Sequence, residues 1–286
     1  MKYIIFCTDT YTGGPFALLQ LNNAINSLGE TSEVIFADLV SAERYDPHNQ
    51  TLKLKYKRSP ELNLDGLPYK LCNSYNKNDI LIVPEIFPDI IIELAKAGFK
   101  NRIIWWLSWD NAPIGKLNRF DHALHLKNSN HIFQSTYAQK EAERYGFEGS
   151  IVSDYTIFKK SDIDKKLKKT IDFCYFPRKA AGTEKVINQL KNKFIVKEID
   201  GLKHNQVIEI LMKSKFFIDF GPLPGKDRIP REAVLYDCIP ILRDIGAGRY
   251  FEDFNISKNL KLDFNTFVTP KLLYEVLVKL ESNREL

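Results

Sequence analysis

The sequence predicts an α/β fold: two Rossmann-like domains, each a parallel sheet with helices on both faces, facing across a cleft. Three observations point there. Short apolar runs alternate with segments of helical period, the pattern of successive βα units in a parallel sheet. The series occurs twice, before and after a lysine-rich stretch, Lys159–Lys169, that reads as a solvated linker or linking helix. The length, 286 residues, suits two domains at roughly 150 residues each. The boundaries are 1–155 for the N-terminal domain, 156–170 for the charged linker, and 171–286 for the C-terminal domain with its terminal helix.

Taken in order, Tyr3–Cys7 has no charged residue, as a buried parallel strand requires. The loop TDTYTGGP leads into a helix with Leu18, Leu21, Ile25 and Leu28 on one face and Gly29 as its stop. Glu33–Asp38 and Asp79–Pro84 are the next strands of the parallel series, and a helix runs from Pro88 to Gly98. Arg102–Leu107, His131–Ser135 and Ser150–Asp154 complete the first series. Thr51–Lys57 alternates with period two, which predicts an exposed strand or hairpin arm. The second series starts at Ile171–Phe176 and continues with KFIVKEI, FFIDF and CIPIL. An amphipathic helix over Pro270–Glu281 carries Leu273, Val276, Leu277 and Leu280 on one face.

Composition narrows the class. A hydrophobic fraction of 44% and a charged fraction of 27% are those of a soluble globular chain, neither disordered nor collagenous. The longest apolar runs fall far short of the ~20 residues that span a bilayer, and Met1-Lys2 runs straight into a strand rather than a leader. A cytoplasmic protein is expected, with peripheral contact at the inner face of the membrane as an additional location. Cys7, Cys72, Cys174 and Cys238 form no CxxC and read as reduced, buried thiols. The net charge of +5 is modest and scattered, which argues against nucleic acid and suits an anionic small ligand or a membrane surface.

Four segments carry candidate chemistry, each after a predicted strand. GPLPGKDRIPRE (Gly221–Glu232) follows FFIDF and leads into a helix over Pro230–Tyr236, with Pro230 at the first helical position. Gly221 and Gly225 allow close backbone approach to a ligand, and the helix N-terminus offers unpaired N–H groups to a phosphate. Lys226, Arg228 and Arg231 add cations, and Glu232 could accept both hydroxyls of a ribose. FPRKAAG (Phe176–Gly182) supplies Arg178, suited to bidentate phosphate contact, and Lys179, a point charge; a basic helix start is the plain alternative. In TDTYTGGPF, Gly13 and Gly14 read as a substrate-approach loop, with Asp9 equally able to cap it. In WWLSWDNAP, Trp109 offers a face for sugar stacking and Asn111 a hydrogen-bonding amide, while at least one of Trp105 and Trp106 is core. Asp110 is the candidate catalytic base, and Glu85 is a second, substrate-side carboxylate. Neither G-x-G-x-x-G nor G-x-x-x-x-G-K-[ST] occurs, so dinucleotide and P-loop sites are excluded. His122, His125 and His131 lack the spacing of a metal motif, and neither metal nor other cofactor is expected.

Three of these segments together resemble bacterial glycosyltransferases of the GT-B fold, closest to the family 4-like enzymes of polysaccharide clusters. GGPFALLQLNNAINSLG is similar to their N-terminal acceptor-domain loop and helix. FPRKAAG is similar to the segment whose Arg and Lys clamp the donor diphosphate. PGKDRIPREAVLYDCIPIL looks like the segment that binds the nucleotide sugar. The resemblance implies a metal-independent glycosyltransferase. Arg178 and Lys179 would hold the diphosphate, Gly225, Lys226, Arg228 and Arg231 would surround it, and Glu232 would hold the ribose. The partners implied are a nucleotide-diphospho-sugar donor and a glycan or lipid-linked glycan acceptor. The family places a first Glu eight residues before the ribose Glu; here that residue is Pro224. A nucleotide-sugar epimerase of the same fold, or a non-catalytic nucleotide-sugar-binding subunit, are the alternatives. Asp162-Ile163-Asp164 reads as the D-x-D of another glycosyltransferase fold, but it lies in the lysine run with no strand before it.

Overall fold

The computed structural model describes residues 1–46, 48, 50–113, 120–156, 168–179 and 184–263. The chain divides into two units, Met1–Tyr155 with Pro224–Lys226, and Thr156–Leu223 with Asp227–Leu286.

In the first unit the apolar runs become parallel strands. β1 (Tyr3–Cys7) and β2 (Ser32–Phe36) are followed by β3 (Val40–Asp46), β4 (Thr51–Tyr56) and β5 (Ser74–Asn76), then by β6 (Ile80–Pro84), β7 (Arg102–Trp106), β8 (Asn130–Phe133) and β9 (Gly149–Ile151). Six of them form one parallel sheet in the order β2-β1-β6-β7-β8-β9. Period two sends neighbours to opposite faces. Trp106 thus packs with Ile4, Phe6 and Phe133 on one side, and Trp105 with Ile5, Cys7 and Leu18 on the other. Both tryptophans are therefore core. Helix α1 (Gly13–Ser27) follows β1 and buries Ala17, Leu18 and Leu19. Leu28, assigned by its spacing to the same face, is 84% exposed because α1 ends at Ser27 and Leu28 sits past its last turn. Helix α2 (Pro88–Lys96) follows β6, α3 (Phe120–Lys127) follows β7, and α4 (Thr136–Glu143) follows β8. Helix α4 starts at Ser135, whose Oγ accepts from the Ala138 N–H at 3.1 Å.

The period-two segment Thr51–Lys57 is the central strand of an antiparallel sheet, β3-β4-β5. Its partner strands lack clean alternation, β3 being largely exposed and β5 only three residues long.

The second unit contains β10 (Ile171–Tyr175), β11 (Val196–Glu198), β12 (Ser214–Asp219), β13 (Ile239–Arg243) and β14 (Lys261–Leu262) in the parallel order β11-β10-β12-β13-β14. Helices α5 (Glu184–Lys191), α6 (His204–Lys213) and α7 (Arg228–Leu235) connect them. Phe173, Phe216 and Ile241 fill one face, and Cys174, Phe217, Val207 and Leu211 the other. Helix α7 begins at Arg228, two residues before the start the sequence suggests, which makes Pro230 its third residue. The first four N–H groups of a helix have no intrahelical partner, so proline is tolerated there as at the first position. Residues 159–167 of the lysine run, with the D-x-D at 162–164, and the helix expected at 270–281 lie outside the described residues. The run's last lysine, Lys169, is no solvated link: its Nζ donates to the carbonyls of Leu211 at 3.3 Å and Tyr236 at 2.8 Å. All four cysteines are free thiols and buried, and burial pushes Cys7 and Cys72 up to about 12. No described helix is long and apolar enough to cross a membrane.

Candidate functional site

Ligands of open parallel sheets bind beyond the carboxyl ends of the strands, where the strand order reverses. In the first unit that switch point lies between β1 and β6, and in the second between β10 and β12. The candidate residues fall at or beside these two places.

In the first unit, Gly13 and Gly14 form the first turn of α1 directly after the β1 loop. A Cβ on Gly14 would make only an ordinary contact with Leu107, so nothing in the fold itself demands glycine there. Asp9 is a structural pin. Its carboxylate accepts from the N–H groups of Glu61 at 2.9 Å and Leu62 at 2.7 Å and pairs with Arg58 at 2.8 Å. Glu85 stands at the end of β6, 5% exposed, and accepts from the Leu107 N–H at 2.9 Å. Burial pushes its carboxyl up to about 7, against the pull of the backbone N–H groups around it. Trp109 is not a stacking platform. The turn Trp109–Asn111 folds its ring back into the core, 3% exposed, 5.0 Å from the Trp106 ring and 5.3 Å from that of Tyr145. Asp110 and Asn111 are exposed on that turn, and the Tyr137 hydroxyl of α4 donates to Asp110 Oδ1 at 2.8 Å.

Gly225 and Lys226, assigned by sequence to the C-terminal domain, cluster instead with the first unit. Gly225 bridges Ser108 in antiparallel fashion, and the Trp109 N–H donates to the Pro224 carbonyl at 2.8 Å. The Lys226 N–H donates to Gln134 Oε1 at 3.2 Å and its Nζ to Ser153 Oγ at 3.4 Å. Gln134 in turn donates to Asp154 Oδ1 at 2.8 Å. A Cβ on Gly225 would lie 2.2 Å from the Leu107 carbonyl oxygen. Gly221 is comparable in the second unit, where a Cβ would lie 2.7 Å from the Lys179 carbonyl oxygen. Both glycines thus admit neighbouring backbone at close range.

In the second unit, Lys179 follows β10 and its Nζ reaches Asp219 at 3.4 Å and also contacts Asp227. Burial alone would lower this lysine, but the two carboxylates outweigh it and hold the ammonium above its ordinary range. Asp219 ends β12, is 2% exposed and accepts from the Gly221 N–H at 3.2 Å; burial pushes it up to about 6 in spite of Lys179. Asp227 immediately precedes α7, and its carbonyl accepts from Arg231 Nε at 3.2 Å. One turn on, Glu232 is 3% exposed, with Arg228 at 3.4 Å and His204 Nε2 at 3.3 Å. Burial opposes its ionisation, but His204 and Arg228 prevail and hold the carboxyl below the usual carboxylate range. Two contact sets thus meet the start of α7: Lys179 and Arg231 share Asp227, and Arg228 pairs with Glu232. Arg178 stands apart, exposed and paired with Asp200 at 2.9 Å.

His204, Asp219 and Asp227 are the members that sequence reasoning passed over. Asp219, a carboxylate closing the apolar run FFIDF, was visible as an anomaly in a buried strand. His204 lies 28 residues from Glu232 and has no local signal. Of the histidines considered for a metal, His131 is buried and its Nδ1 accepts from Trp106 Nε1 at 3.0 Å. The side chain of His122 is outside the described set. Among the described residues no three His, Cys, Asp or Glu side chains converge as a metal site.

This architecture is shared with solved structures. The chain is similar to a trehalose-6-phosphate synthase, with a TM-score of 0.55 at 9% identity over 98% of this chain and 91% of that one. It is similar to an alpha-glucosyltransferase solved with UDP-glucose and DNA containing an abasic site, with a TM-score of 0.55 at 9% identity over 100% and 91%. It also resembles a UDP-forming alpha,alpha-trehalose-phosphate synthase from Burkholderia vietnamiensis, with a TM-score of 0.56 at 9% identity over 97% and 90%. The fold is therefore the α/β, parallel-sheet GT-B fold of these glycosyltransferases. No protein-family model matches the sequence, and no curated protein matches it.

Proposed function

We propose that the chain is a metal-independent glycosyltransferase that binds a nucleotide-diphospho-sugar on its second unit. One observation carries the reading: Lys179, Arg228 and Arg231 gather with an ionised Glu232 beside the switch point of the second sheet. The leaving diphosphate gains negative charge as the sugar–oxygen bond breaks, and fixed cations and helix N–H groups aimed at that charge lower the barrier without a metal. Glu232 accepts the ribose hydroxyls, displacing His204. That a structural neighbour was solved with UDP-glucose supports a nucleotide-sugar donor.

The acceptor is a glycan or lipid-linked glycan bound by the first unit, where Asp110, held by Tyr137, is the candidate base and Gly13, Gly14, Glu85 and Asn111 line the acceptor side. This finer assignment, to family 4-like enzymes of polysaccharide clusters working in the cytoplasm, rests on the sequence resemblance. The test is a thermal-shift panel of UDP, GDP, dTDP, ADP and CMP with their sugars. A ligand present at 100 times its dissociation constant stabilises by ~2.7 kcal/mol; a panel in which nothing raises the midpoint refutes the reading.

Pro224 favours a second reading. It stands at the position of the resembled family's first Glu, and its carbonyl is committed to the Trp109 N–H. A protein that binds nucleotide sugar without turning it over would show the thermal shift, yet release no nucleotide diphosphate with any acceptor.

A further inference from the structure

The three-stranded sheet of the first unit carries a concentration of cations that the nucleotide site does not use. Along β4, Leu52, Leu54 and Tyr56 pack on the core, and Lys53 and Lys55 alternate with them on the exposed side. Lys57 continues the alternation one residue past the strand. The antiparallel register sets Arg44 of β3 directly opposite Lys53, and Ala42 opposite Lys55. Like charges directly opposite one another destabilise a sheet, and among the described residues only Lys53 of this group meets a carboxylate of the fold. Lys53 pairs with Asp46 at 2.8 Å. Among the described residues no carboxylate lies within salt-bridge distance of Arg44, Lys55 or Lys57. The charge that looks scattered along the sequence is gathered on one sheet face by the pairing.

We propose that this face docks on an anionic lipid surface. Charge complementarity requires an anionic partner, and the geometry selects its shape. β4 is the central strand, with β3 on one side and β5 on the other, and Ser74 of β5 flanks Lys53. A B-DNA major groove, about 12 Å wide, admits a two-stranded ribbon. Here the lysines project from the middle of three strands spaced ~4.8 Å apart, so the face meets a plane better than a groove. The connection at 47–50 contains no large apolar residue, so the contact is electrostatic rather than inserted. None of these cations belongs to the proposed nucleotide site, so lipid binding and nucleotide binding are separable.

The test is co-sedimentation of the full chain with phosphatidylcholine vesicles, with or without phosphatidylglycerol. The wild type should bind only the anionic vesicles and be released by salt. Each cation near an anionic surface contributes ~1 kcal/mol, about fivefold. Arg44→Ser with Lys53→Ser, Lys55→Ser and Lys57→Ser should therefore weaken binding by roughly a hundredfold or more, with an unchanged circular dichroism spectrum. Replacing the three lysines by arginine should keep binding. The proposal is overturned if the serine variant binds anionic vesicles like the wild type, or if the wild type binds neither vesicle. It is also overturned if duplex DNA, not vesicles, is what the four cations hold.

Discussion

Replacing Glu85 with glutamine should remove one limb of the pH dependence of stability. The carboxyl titrates at about 7 in the folded protein against an ordinary 4.5, because it is buried and no cation compensates it. At 1.36 kcal/mol per pH unit the gap corresponds to ~3 kcal/mol. The folded value is the raised one, so this group's contribution is intact below 4.5, where both states hold the proton. As the pH rises from there the unfolded chain ionises first, and stability falls by about 1.4 kcal/mol per pH unit until the folded carboxyl also ionises near 7. Above that the loss is complete and constant. Glutamine keeps the shape and an oxygen for the Leu107 N–H but has no proton to lose. Glu85→Gln should therefore gain ~3 kcal/mol on the wild type between pH 4.5 and about pH 8. Urea unfolding followed by tryptophan fluorescence is the assay, because Trp105, Trp106 and Trp109 all report the first unit. Other titrating groups are common to both proteins and cancel in the difference. Midpoints that run parallel across this range would show that Glu85 is ionised throughout, and the burial argument would fail.

Three further variants probe the contacts. Gly225→Ala places a Cβ 2.2 Å from the Leu107 carbonyl oxygen; a backbone atom cannot step aside, so a loss of ~2 kcal/mol is expected, read by the same fluorescence. An unchanged midpoint would mean that residues 224–226 do not lie against Ser108. Glu232→Ala should weaken nucleotide diphosphate binding by roughly tenfold or more, the scale of a lost charged hydrogen bond, and weaken a deoxyribose analogue less. His204→Ala should not weaken nucleotide diphosphate binding, because the ribose displaces His204 while Arg228 still holds the carboxylate. Equal affinities by titration calorimetry would remove the ribose role from Glu232.

The fold was legible because parallel strands buried on both faces must be continuously apolar, as YIIFC and RIIWW are, and helices between them must alternate with period 3.6. The antiparallel sheet was half legible: β4 alternates, but β3 has no apolar face to display. Boundaries failed where termini decide them, as at Leu28 and at Arg228. In the candidate site, the cations around α7 were visible because they sit within one short segment. What they touch was not. Whether Trp109 points into the core or outward depends on one turn, and the contact of Glu232 with His204 joins segments that sequence spacing does not relate. Glycines are opaque for a related reason: that Gly225 and Gly221 admit the carbonyls of Leu107 and Lys179 has no signature in a sequence.

A ligand diphosphate must compete for Lys179 with the carboxylates that already hold it. Without a ligand, the Lys179 ammonium is already matched by Asp219 and Asp227, so a diphosphate gains little from it unless the lysine turns from the carboxylates. If it does, Asp219 loses the cation that offsets its burial. Its carboxyl, held at about 6 with the ammonium beside it, can then only rise, and at neutral pH it takes up a proton. Binding of a nucleotide-diphospho-sugar, whose own diphosphate does not titrate near neutrality, should thus consume up to one proton. Affinity should rise as the pH falls toward 6, by at most tenfold per pH unit. Calorimetry at neutral pH in two buffers of different ionisation enthalpy measures the proton directly, and Asp219→Asn should abolish it while leaving the cations in place. Binding without proton uptake in the wild type would mean that Lys179 stays with its carboxylates, and the diphosphate would then have to be held by Arg228, Arg231 and the N–H groups of α7 alone.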